Sequence, residues 1–268
     1  MTTAPLAVAS AALPGLDPGQ VCALAAEHGL DGVEWGVGVG QALPLTVSDA
    51  QLDDVAAAAA SHGLACAGLA VHEPEALAYP AALWQRICDL AVVLGAPHVR
   101  VYATGHDTDF DSGFAGLREL LADKARAAAE RGVRLLLEPA PATLVPDPAL
   151  ARRALSGVDS DRVGVVYDPG SLAREGWQDP FLATGVLGVL LRHVHVKNVA
   201  PRRDEDGSWV WQRTGLDTGI VDWSRVSEAL DAAGYAGWFV LDHLSSHEPG
   251  SLAADLVHLR KLAEVSRA

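Results

Sequence analysis

The stretch His193-Val194-His195-Val196-Lys197-Asn198, written HVHVKN, sets two imidazoles and an ammonium at every second position with valines between them. Side chains of a β-strand alternate between its two faces, so the valines share one face while His193, His195 and Lys197 share the other. An antiparallel strand with one wetted face shows this alternation. So does a barrel strand whose polar face looks inward. The rest of the chain has to separate the two readings.

Seven further runs of β character accompany it: PLAVAS (5–10), DGVEWG (31–36), LACAGLAVH (64–72), HVRVYATG (98–105), VRLLLEP (133–139), VGVVYDPG (163–170) and GWFVLDHL (237–244). Ala/Leu-rich stretches of helical character lie between most of them, among them Ser48–His62, Pro74–Leu94, Gly113–Arg131 and Trp223–Ala233. Eight strands alternating with helices, without a Ser/Gly-rich linker, predict one parallel sheet, and eight units predict a closed (β/α)8 TIM barrel spanning residues 1–268 as a single domain. The alternative is an open doubly wound sheet, against which stands the lack of a GxGxxG after the first strand.

Half of the 268 residues are hydrophobic and a fifth are charged, enough for a large core. No apolar run reaches the roughly 18 residues of a membrane span, and the start MTTAPLAVASAALPG lacks the basic opening of a signal peptide, so the expectation is a cytoplasmic protein. Cys22, Cys66 and Cys88 have no CxxC spacing and lie in apolar segments, which predicts reduced, buried thiols. A formal charge of −14 repels phosphate backbones and anionic lipid, so neither nucleic acid nor a membrane is expected as a partner.

Several of the strands arrive at a polar residue: Glu34, Arg100 and Tyr102, Glu138, Asp168, Asp242. In a parallel barrel these ends share one rim, where the βα loops build the active site. Glu138, Asp168, His195 and Asp242 then come from the fifth to eighth strands, an oxygen-rich set with a single nitrogen that suits Mn, Mg or Co, and accommodates Zn. Without a cation, three carboxylates so close would raise one another's pKa. Lys197 shares the rim and is placed to touch a substrate oxygen or phosphate. His72 ends the third strand behind small residues and can reach the pocket. His193, one layer deeper, reads as a hydrogen-bonded core histidine, and Arg100 needs a carboxylate, for which Glu34 is the candidate. The segment PRRDEDGSWVWQRTG reads as a loop whose Trp209 and Trp211 form a sugar-facing lid or a dimer contact.

The motifs LLEP, VGVVYDPGSL, HVHVKN, GIVDW and YAGWFVLDH together resemble the xylose isomerase-like TIM barrel family, the sugar phosphate isomerase/epimerase superfamily, over essentially the whole chain. The resemblance implies metal ligands at Glu138, Asp168 and His195, with Asp242 at a fourth position that is usually Glu. It also implies a substrate-holding role at the position of Ser171, where relatives carry His or Asn. Ala140 stands where a His is common, and Asp217-Thr218-Gly219 replaces a GxG. Dimers and tetramers both occur in the family.

A metal chelated by a hydroxy-ketone acidifies the neighbouring C–H. Glu138 is the expected base and Asp242 its counterpart on the other face, which is the equipment of an isomerase or epimerase acting on a keto-sugar or inositol-derived ketone. With a leaving group β to the carbanion the same parts make a lyase or dehydratase. A non-catalytic sugar-binding protein with a decayed metal site is the third reading, motivated by Ala140, Ser171 and Asp242.

Overall fold

The computed structural model describes residues 4–105, 109–176, 178–245 and 251–265. Eight parallel strands close into a barrel in the order β1-β10-β7-β6-β5-β4-β3-β2. They are β1 (Leu6–Ala9), β2 (Gly32–Val37), β3 (Ala65–Val71), β4 (His98–Tyr102), β5 (Arg134–Glu138), β6 (Val163–Tyr167), β7 (Leu191–Val196) and β10 (Phe239–Leu241). Six of the eight fall inside the runs read from the sequence, while β2 continues one residue further to Val37 and β7 begins two residues earlier at Leu191.

The remaining two strands correct that reading. The segment taken as a loop is an antiparallel hairpin, β8 (Asn198–Arg203) and β9 (Trp209–Thr214), whose tip turns at Gly207 with φ 87°. It leaves directly from the end of β7. The helical stretch expected from Pro74 is also broken. A short 3-10 turn at Ala76–Ala78 precedes a helix over Ala81–Leu94, because Pro80 cannot donate to a continuing helix and takes the N-cap position instead.

Alternation sorts the strand residues. Val8, Val33, Trp35, Val99, Val101, Leu135, Leu137, Val165, Val194, Val196, Phe239 and Leu241 join one buried apolar cluster with the helices. The other face of the same strands looks into the barrel, where Ala7, Ala9, Ala67 and Val240 form a separate small cluster. Those side chains are small, and the lumen above them is filled instead by buried Glu34, His98, Arg100, Glu138, His193 and His195. Hydrophobic burial outside the sheet holds a polar interior inside it. Cys22 and Cys88 are buried free thiols, whereas Cys66 is only half-buried.

Candidate metal centre and active site

Each polar side chain of the site is set by its strand. β4 and β5 run in register with Tyr102 opposite Glu138. β6 delivers Asp168 as the N-cap of the turn Pro169–Leu172, its Oδ1 accepting from the Ser171 backbone N–H at 2.9 Å and its Oδ2 from Ser171 Oγ at 2.9 Å. β7 carries His193 and His195 inward, with Val240 of β10 opposite His195. Lys197 follows, and its stem runs close over Gly170, where a Cβ would stand 2.6 Å from Lys197 Cγ. A glycine at that position is what lets the ammonium reach the cluster.

The charges interlock. Lys197 Nζ donates to Asp242 Oδ2 at 2.8 Å and forms an ion pair with Asp168 Oδ2 at 2.5 Å. Arg100, fully buried, places Nε 2.9 Å from Glu138 Oε2. This corrects the expected Arg100–Glu34 pair: Glu138 lies on the adjacent strand, within reach of an inward Arg. Glu34 turns instead to the histidines, with Oε1 3.1 Å from His195 Nε2 and Oε2 2.9 Å from His193 Nε2. His243 is half-buried, with Nδ1 2.8 Å from Asp242 Oδ2.

Burial by itself would raise the Glu138 carboxyl, but Arg100, His195 and Lys197 outweigh it and hold it at about 2. Asp242 is likewise carried well below the carboxylate range against its burial, by Lys197, His195 and His243. Asp168 goes the other way: burial and the neighbouring Glu138 and Asp242 raise it despite Lys197. Burial opposes charge on His195, yet Glu34, Asp242 and Glu138 lift it well above the usual imidazole value. His72, half-buried at the end of β3, is pushed down to about 4 by burial and by Arg100, and is therefore neutral at physiological pH.

Among the buried polar atoms of this network that lack a hydrogen-bond partner is His195 Nδ1, which lies 3.7 Å from both Glu138 Oε1 and Asp242 Oδ1. Ligand atoms of Glu138, Asp168 and His195 lie within 4.8 Å of one another. An imidazole nitrogen facing carboxylate oxygens at that spacing fits a divalent cation of the Mn, Mg, Co or Zn kind. Asp242 stands beside this triad, engaged by Lys197 and His243. Ser171 is turned onto Asp168. Trp211 is carried on the separate hairpin, half-buried opposite Pro201. Glu34 and Arg100 are the members of the site whose partners the sequence did not disclose.

Residues 22–262 match the family model described as xylose isomerase-like TIM barrel. An inosose dehydratase of Geobacillus thermodenitrificans is 32% identical over 125 residues, which cover 43% of this chain and 42% of that protein. The chain thus spans less than half the length of this curated relative. Among solved structures, a xylose isomerase-like TIM barrel protein from Mycobacterium smegmatis in complex with magnesium superposes with a TM-score of 0.77 at 21% identity, covering 100% of both chains. An L-ribulose 3-epimerase superposes with a TM-score of 0.80 at 18% identity, covering 98% of this chain and 96% of that one. With its eight-stranded closed barrel and a family match over most of its length, the chain belongs to the xylose isomerase-like TIM barrel family.

Proposed function

We propose that this protein is a divalent-metal-dependent enzyme that removes the proton next to the carbonyl of an uncharged keto-polyol, and that its characteristic outcome is dehydration. The observation that carries the reading is the buried His195 Nδ1, without a hydrogen-bond partner and set among Glu138, Asp168 and Asp242. A cation held by Glu138, Asp168 and His195, with Asp242 as fourth ligand, would polarise the substrate carbonyl and stabilise the enediolate.

The chain's own groups supply the rest. Glu138 is kept ionised by Arg100, so its carboxylate can accept the proton. Lys197 carries three N–H groups, of which one is given to Asp242, and can donate another to a hydroxyl leaving from the neighbouring carbon. The C–H pair forms the new double bond, the C–O bond breaks, and the hydroxide departs as water. His72, Ser171 and Trp211 are assigned to holding substrate hydroxyls. The pairing of an acceptor with an ammonium donor favours elimination, in keeping with the dehydratase relative.

Epimerisation is the second reading, favoured by Asp242 as a second carboxylate facing Glu138 across the His195 nitrogen. Incubating manganese-loaded enzyme with an inosose and with keto-sugars in heavy water separates the two. Loss of water without label in recovered substrate supports the lyase. Deuterium at an inverted carbon supports the epimerase, and no turnover of either class refutes both.

A further inference from the structure

Glu34 is wholly buried, lies on the far side of His195 from the carboxylate triad, and has no part in the chemistry above. Its two oxygens face two ring nitrogens, with His195 Nε2 at 3.1 and 3.2 Å and His193 Nε2 at 2.9 Å. An ionised carboxylate only accepts hydrogen bonds, so the nitrogen it faces on a neutral imidazole carries the proton and the other carries the lone pair. On His195 that other nitrogen is Nδ1, the atom aimed at Glu138 and Asp242. His193 steadies Glu34 from beneath, and His98 meets the His193 ring edge-on at 4.6 Å between centroids.

The backbone is shaped for this contact. The β2–β3 ladder shifts register between Val33 and Glu34, leaving Ala67 as the extra residue, and the β6–β7 ladder shifts between Val165 and Val166, leaving Arg192 extra just before His193. Such bulges re-aim side chains next to functional sites. We propose, resting on the reading of Glu138, Asp168 and His195 as a metal centre, that Glu34 is a positioning residue that locks His195 in the Nε2–H form, so that the cation is taken through Nδ1. The competing geometry is a cation held by Glu34, His193 and His195, whose ligand atoms also lie within 4.8 Å of one another.

The test compares wild type with Glu34→Gln by calorimetric titration of the metal-free proteins with Mn²⁺. A glutamine can accept from one imidazole but must donate to the other, so one ring is forced out of its tautomer. Removal of such a supporting carboxylate weakens metal binding by about 10- to 100-fold, and that is the expected result for a variant with wild-type circular dichroism. A long-range ¹⁵N–¹H spectrum of zinc-loaded wild type, which does not depend on the variant folding, should show His195 metallated at Nδ1 and protonated at Nε2. Metal on Nε2, or a variant binding Mn²⁺ within about threefold of wild type and so short of that supporting-carboxylate loss, overturns the proposal while leaving a metal centre in place. Wild type that takes up no metal at all overturns the metal-centre reading and this inference with it.

Discussion

Lys197→Met removes the charge that joins two strands' carboxylates while keeping most of the aliphatic stem. The ammonium is nearly buried, 2.5 Å from Asp168 and 2.8 Å from Asp242. Breaking a buried ion pair by deleting one partner costs about 3–5 kcal/mol, because the desolvated charges left behind have lost their compensation. For a chain of this size each kcal/mol moves the melting temperature by roughly 2–4 °C, which gives a fall of roughly 6–20 °C. Scanning calorimetry in chelator at pH 7.5 measures it. The deficit should shrink towards pH 5, since the Asp168 pKa is already raised and protonation relieves the exposed repulsion. Added Mn²⁺ should raise the variant's melting temperature more than the wild type's, since the cation supplies the missing positive charge. A variant melting within about 3 °C of wild type in chelator, well short of the roughly 6–20 °C expected, would refute the account of Lys197 as the counter-ion of this pair.

Three further outcomes are expected. The His195 pKa is raised in the metal-free protein, so its contribution to stability is present below the ordinary imidazole value and is lost as pH rises through the folded one. Metal must displace that proton, so titrations in buffers of different ionisation enthalpy should show about one proton released per ion near pH 7, with affinity rising with pH. Glu138→Gln strands the fully buried Arg100 and should cost about 3–5 kcal/mol in urea unfolding, most of it recovered in Arg100→Met/Glu138→Gln, where no charge is left unpaired. Gly68→Ala would place a Cβ 2.2 Å from His98 Nε2, pushing the ring into His193 and lowering stability by about 1–3 kcal/mol by the same unfolding assay.

The alternation of HVHVKN was legible because period two is a backbone property, and the eight runs closed into a barrel as their spacing implied. The carboxylates at strand ends were legible for the same reason: topology puts them at one rim whatever their contacts. Contacts across the lumen were not. Glu34 and His195 are 161 residues apart and sit on strands that are not neighbours, so no local pattern links them. Arg100 chose Glu138 over Glu34 through strand adjacency, which appears only once the register is known. The hairpin hid behind Pro201 and the charged run Arg202-Arg203-Asp204, residues that disfavour an isolated strand but are tolerated on a two-stranded ribbon lying outside the barrel.

The interior now has a charge balance that bears on what can bind. Glu34, Glu138, Asp168 and Asp242 supply four carboxylates, and Arg100 and Lys197 supply two permanent cations. Without metal the remaining excess is met by the raised affinity of His195 and Asp168 for protons, which is a compromise in a desolvated site. On the proposed reading, a divalent ion at His195 Nδ1 would displace the imidazole proton and supply both missing charges, bringing the set to neutrality. Both of these cations are then engaged, Arg100 by Glu138 and Lys197 by Asp168 and Asp242. A phosphate entering this cluster would meet four carboxylates and no cation among these groups left to pair with it, whereas hydroxyls and a ketone can share existing donors without adding charge. On the proposed metal-centre reading, the same arithmetic favours an uncharged polyol ketone over a sugar phosphate.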